Sequence, residues 1–211
     1  MFEITDLPPD EVSADLATLR SALDDYENGG VPARALDRNL LIATWNIRAF
    51  GDLTEKWESA DGDSPKRDLH SLLCIAEIIS RFDVIAIQEA RDINSWDHNL
   101  IALGDFNIDR RGDALHDAFV STGLEIPQDL QEAPRTIFSD PQKPELNKFY
   151  DQIAWFTGRN DLPALSLQYS RGGYFDFTRA ALTTREFTKV QLSWRISDHY
   201  PLWAEFSARP G

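Results

Sequence analysis

The chain has 211 residues, 42% of them hydrophobic, with 6 Trp and 12 Phe. That suffices for one domain with a substantial core and one appendage, and no apolar run approaches the roughly 20 residues of a membrane helix. The formal net charge is −14, so the surface as a whole gives no counterion-release affinity for nucleic acid, although it suits divalent cations.

The charge is uneven. Residues 1–65 carry 14 acidic and 5 basic side chains, and residues 66–211 carry 21 and 16. Met1 to Asp6 lack the basic and apolar blocks of a secretory signal. The single cysteine, Cys74, excludes an internal disulfide and fits a reducing compartment, so a cytoplasmic location is expected. Cys74 falls in an apolar helical pattern and reads as a core residue.

Pro8-Pro9-Asp10 opens a helix to about Tyr26, with Val12, Leu16, Leu19 and Leu23 on one face. Asn28-Gly29-Gly30 stops it. Residues 1–38 therefore read as an acidic helical lead-in packed on a main domain of residues 39–211; a partner-binding helix is the alternative. Asn39 to Thr44 is a buried strand running into Trp45-Asn46-Ile47, and Gly51 to Pro65 is a polar loop. Lys66 to Phe82 is a helix with Leu69, Leu72, Leu73, Ala76 and Ile79 on one side. Asp83 to Glu89 is another buried strand, which makes a βαβ-like unit. Asn99 to Leu103 is a strand leading into Gly104-Asp105-Phe106-Asn107. Asp113 to Thr122 is a short helix ended by Gly123. Further strands are expected over Thr136–Phe138, Gln152–Phe156 and Leu202–Phe206.

Polar residues stand at the ends of these strands. Asn46, Glu89 and Asp105 each follow an apolar run, Asp151 opens a fifth strand, and Ser197-Asp198-His199 precedes the last. Asp105 and Asn107 share a face if the backbone stays extended. Such groups are costly to bury unless something polar meets them, and a metal-bound phosphate does so. Glu and Asp are hard oxygen ligands for Mg²⁺. An Asp can accept a proton from attacking water, and a His held by an Asp can stabilise phosphorane-like charge. Each residue alone reads equally as a turn, a strand-edge charge or a solvent-facing end.

The set resembles the endonuclease/exonuclease/phosphatase superfamily. The resemblance rests on Thr44-Trp45-Asn46-Ile47, Ile87-Gln88-Glu89, Gly104-Asp105-Phe106-Asn107, Tyr150-Asp151-Gln152-Ile153 and Ser197-Asp198-His199-Tyr200-Pro201, in the family's order. It implies an α/β fold, a two-sheet α/β sandwich with flanking helices, and an enzyme that uses Mg²⁺ or Mn²⁺. It implies Glu89, Asn46 and Asp198 as metal contacts. It implies Asp105 as the residue that positions or deprotonates water, Asn107 beside it, and His199 oriented by Asp151 as catalytic groups. The implied substrate is a phosphoester. The first expectation is phosphodiesterase or nuclease action, and a phosphomonoesterase or a degenerate member that only binds are the alternatives. Arg110, Arg111, Arg135, Lys143 and Lys148 flank the motifs as a local phosphate path or as ordinary surface charges.

One departure stands out. Glu89 and Asp105 are 16 positions apart, whereas the family places a much longer insert there, bearing several central strands and a phosphate-contacting side chain. Residues 90–98 are the whole connection, and its one His, His98, does not read as the missing catalytic group. The fold is therefore expected to lack several central strands.

Overall fold

The structure, a computed structural model, describes residues 7–35, 38–48, 53–86, 101–121, 123–157 and 167–207. Asn39–Thr44 forms β1, and its unbroken apolar run reflects burial on both faces. Leu41 and Ala43 point to one core cluster and Ile42 to another. β1 runs parallel to β2 (Val84–Ala86), with Ile42 opposite Val84. Between them lies helix α2 (Leu69–Ile79), so the βαβ unit is present. β1 also pairs antiparallel with β7 (Leu202–Ser207), which pairs with β6 (Gln168–Tyr174). The first sheet thus has the order β2-β1-β7-β6.

A second, antiparallel sheet has β5 (Asp151–Phe156) between β3 (Ile101–Asp105) and the short β4 (Leu124–Glu125). Leu202, Ala204 and Phe206 of β7 share a core cluster with Ile153 and Trp155 of this sheet, and the Trp155 and Phe206 rings meet at 5.0 Å. Trp203 faces the other way, toward the helices, as the period-2 alternation of a strand requires. Further α-helices are α3 (Ala114–Ser121), α4 (Gln128–Glu132) and α5 (Lys189–Ser193). The chain is therefore an α/β two-sheet fold. No helix among the described residues is long and apolar enough to cross a membrane.

Helix α1 (Asp10–Asp24) buries Val12, Leu16, Leu19 and Leu23 in the cluster that also holds Ile75, Ile78 and Trp45. A buried carboxylate fixes it further. Asp15 accepts from the Thr183 hydroxyl at 2.6 Å, the Thr184 N–H at 2.9 Å and the Thr184 hydroxyl at 2.8 Å. After α1 the chain turns at Gly29, whose φ of 97° suits a residue without a Cβ.

Several expectations need correction. α2 begins at Leu69 and not Lys66, because Asp68 caps it by accepting the Ser71 N–H and hydroxyl at 2.9 and 2.7 Å. Its buried face runs through Cys74, Ile75 and Ile78, and Ala76 is exposed. Docking against α1 sets that face. Burial pushes the Cys74 thiol up to about 12, as suits a core residue. Thr136–Phe138 is not a strand: Thr136 makes a single bridge to His199, and the Ser139 N–H closes a turn onto the Thr136 carbonyl at 3.0 Å. β4, α4, β6 and α5 were not anticipated. Residues 87–100, with Glu89, His98 and the short connection, lie outside the described residues.

The clamp on α1 carries a pH dependence. His70 is fully buried with Nε2 3.2 Å from Asp15 Oδ2. Burial pushes its imidazole below the ordinary value, Arg185 adds to this, and Asp15, Asp68 and Glu11 offset only part. A depressed histidine contributes stability above the ordinary imidazole pKa and loses it as pH falls below. Unfolding free energy should therefore drop between about pH 7.5 and about pH 5.5, and His70→Gln should flatten that slope. Denaturant titrations of both proteins at the two pH values read this, and parallel slopes would refute it.

Candidate active site

Four strand ends meet at one place. β3 and β5 pair so that Asp105 lies directly opposite Asp151. β1 delivers Asn46 just past its end, and His199 lies three residues before the start of β7. Gly104 holds φ at 148°, which a side chain would resist, and carries the chain into Asp105. Asp105 is only 4% exposed. Its Oδ2 accepts from the Asn46 side-chain amide at 2.7 Å, and its Oδ1 accepts from the Asn107 N–H at 2.8 Å. Asn107 adopts φ of 54°, a left-handed conformation that asparagine tolerates. The backbone therefore does not stay extended, and Asn107 touches Asp105 through its main chain while its side chain is exposed.

Asp151 is fully buried, and its Oδ2 lies 2.6 Å from Nδ1 of His199. Burial alone would push the His199 imidazole down. The hydrogen bond and charge of Asp151, with Asp198 and Asp105 nearby, outweigh this and hold it above the ordinary value. Burial pushes the Asp151 carboxyl up, which His199 and Arg135 only partly counter. The His199 proton is therefore coupled to the charge of Asp151. Its Oδ1 is buried without a hydrogen-bond partner among the described residues. With Nδ1 engaged, Nε2 is the ring nitrogen left to meet a ligand.

The surroundings lock His199. Its N–H donates to Ser197 Oγ at 3.0 Å, and that hydroxyl donates to the Asn46 carbonyl at 2.5 Å. Trp45 Nε1 donates to the His199 carbonyl at 2.8 Å. The Tyr150 ring stacks on the imidazole at 5.5 Å and 17°. Buried Arg67 donates to the carbonyls of Arg48, Arg195 and Ile196 at 2.6, 3.1 and 3.1 Å. It thereby holds the loop after Asn46 against the loop before Asp198.

The expected residues thus divide. Asn46, Asp105, Asp151 and His199 are joined by contact or strand register. Asn107 lies at the edge. Asp198 is half-buried beside His199, but its carboxylate faces Arg48 at 3.7 Å, and that guanidinium stacks on the Trp194 ring at 3.6 Å. Glu89 lies outside the described residues. Arg135 is not part of a surface path: it is completely buried. Arg110, Arg111 and Lys148 do line an open cleft, together with Arg179, Tyr174 and Tyr200. Asp105 and His199 are not among its walls, so the cleft lies beside the polar cluster and not around it. Arg111 already donates to the Gln131 carbonyl at 2.5 Å, and Lys148 pairs with Asp109 at 2.7 Å.

Trp45, Tyr150 and Arg67 had no role assigned from sequence. The first two stand inside the quoted motifs, beside Asn46 and Asp151, which is a usable signal; Arg67, remote in sequence from His199, offers none.

A Mg²⁺ or Mn²⁺ ion was expected on Glu89, Asn46 and Asp198. Among the described residues no group of three or more His, Cys, Asp or Glu side chains is arranged to hold a metal ion. Asn46 is turned to Asp105 and Asp198 to Arg48, so the described residues do not by themselves make a metal site. No protein-family description, curated protein or solved structure matches the chain.

Proposed function

We propose that the chain is a divalent-metal-dependent phosphoester hydrolase that acts on phosphodiesters, as its resemblance to the endonuclease/exonuclease/phosphatase superfamily implies. The observation that carries this reading is the convergence of the Asn46–Asp105 and Asp151–His199 pairs across the Asp105–Asp151 register. An amide, a carboxylate, and an imidazole raised by a second carboxylate make up a hydrolytic set. Asp105 orients water and takes its proton. Nε2 of His199 donates toward the developing phosphoryl charge, with Asp151 fixing the ring and favouring its protonated form. Asn46 holds Asp105 in place.

The test is hydrolysis of bis(p-nitrophenyl) phosphate by the full chain, with Mg²⁺, with Mn²⁺ and with a chelator. Metal-stimulated release of p-nitrophenol that the chelator abolishes is the expected result. Faster cleavage of the monoester would move the reading to a phosphomonoesterase. Absence of metal-stimulated hydrolysis of mono- and diesters, and of single- and double-stranded DNA, would reject it.

A further inference from the structure

Arg135 is a fully buried guanidinium whose hydrogen-bond partners among the described residues are oxygens of neutral groups. Nε donates to the Asp151 carbonyl at 2.7 Å, Nη1 to the Ala133 carbonyl, and Nη2 to Gln152 Oε1 at 3.4 Å. The guanidinium carbon lies 4.3 Å from the centre of the Phe149 ring. Burying a cation this way is unfavourable unless the site needs it. A neutral side chain would suffice for a core.

The main chain of the same residue faces the other partner of the dyad. The Arg135 carbonyl accepts from the Tyr200 N–H at 2.8 Å, Thr136 bridges to His199, and the Ile137 N–H donates to the Asp198 carbonyl at 2.9 Å. One residue therefore grips the strand that begins with Asp151 through its side chain. It grips the segment that carries His199 through its backbone.

We propose that Arg135 is a positioning residue for the Asp151–His199 pair: it sets the separation of the two segments so that the carboxylate meets Nδ1, and its charge faces the dyad from behind. Its planar fork makes several bonds at once in fixed directions, which a lysine cannot copy. The inference rests on the hydrolase reading for what the dyad is for, and not for whether Arg135 holds it together.

The test uses the full chain with Arg135→Lys, Arg135→Gln and Arg135→Met. The first readout is the downfield proton resonance of the short Nδ1–H bond of His199, assigned by its loss in His199→Asn. The second is kcat and KM for the diester. Arg135→Gln and Arg135→Met should lose or shift the resonance, while the rest of the spectrum stays native. In both, kcat should fall by about 10²-fold at nearly constant KM, as a displaced catalytic group does. Arg135→Lys, which keeps the charge but not the planar fork, should retain the resonance at a shifted position and part of kcat. An unmoved resonance in any folded variant overturns the proposal, as does a kcat loss that merely follows the folded fraction. If the neutral variants do not fold, a wild-type resonance and kcat in Arg135→Lys overturn it. If the wild type hydrolyses nothing, the functional reading fails, and the resonance still decides the role of Arg135.

Discussion

Asp105→Ala is expected to lower metal-dependent phosphodiester hydrolysis by about 10²- to 10⁴-fold, the range for loss of a positioned general base. Asp105 is the one carboxylate of the cluster that contacts Asn46, and it lies opposite Asp151. Its loss also leaves the Asn46 amide and the Asn107 N–H without their acceptor, which costs about 1–3 kcal/mol for a fully buried donor and less for these part-buried ones. Alanine thus confounds two effects, and Asp105→Asn separates them. Asparagine keeps the shape and an acceptor for one of those donors but cannot take a proton. Its folding stability should lie nearer wild type than that of the alanine variant, while its hydrolysis should be as poor. Initial rates on bis(p-nitrophenyl) phosphate and denaturant midpoints measure the two quantities. Asparagine activity within a few-fold of wild type would remove Asp105 from the chemistry and leave it a turn residue.

The turn reading of this segment holds in its geometry. Asp105 does accept from the Asn107 N–H as an Asx turn does, and the same carboxylate faces Asn46. Fold class was readable because β1 and β7 are buried on both faces, between the helices and the second sheet. Long-range pairing decided the rest. β6 contains Ser170-Arg171-Gly172-Gly173, which has no strand character of its own and is held by pairing with β7. Thr136–Phe138 has strand character but finds a partner only at Thr136. The buried face of α2 depended on where α1 docks, which no local pattern contains. Two of the buried arginines are the largest omission. Arg67 and Arg135 look like surface cations in sequence, and only the carbonyls that converge on them show otherwise.

Asp151→Asn should separate activity from stability more sharply than any other substitution. Asp151 is a fully buried carboxylate with one oxygen on His199 and the other without a partner among the described residues. Burial raises its pKa, so folding disfavours its ionised form near neutral pH. Asparagine removes that cost and keeps the volume, so the unfolding midpoint should stay level or rise. The catalytic effect runs the other way. Asp151 supplies the hydrogen bond and the charge that raise His199 against its own burial. Without them burial dominates, the imidazole falls below its ordinary value, and its protonated form is lost across the neutral range. Hydrolysis near neutral pH should then drop by about 10²- to 10⁴-fold, with the alkaline limb of the rate profile displaced toward acid. The measurements are kcat against pH and thermal midpoints for both proteins. A large drop in midpoint with proportionate loss of activity would make Asp151 a structural residue. An unchanged alkaline limb would mean that the Asp151–His199 contact does not govern the proton used in turnover. A stable, inactive variant with a displaced limb is the outcome expected of a carboxylate kept at some cost to folding because the imidazole beside it needs one.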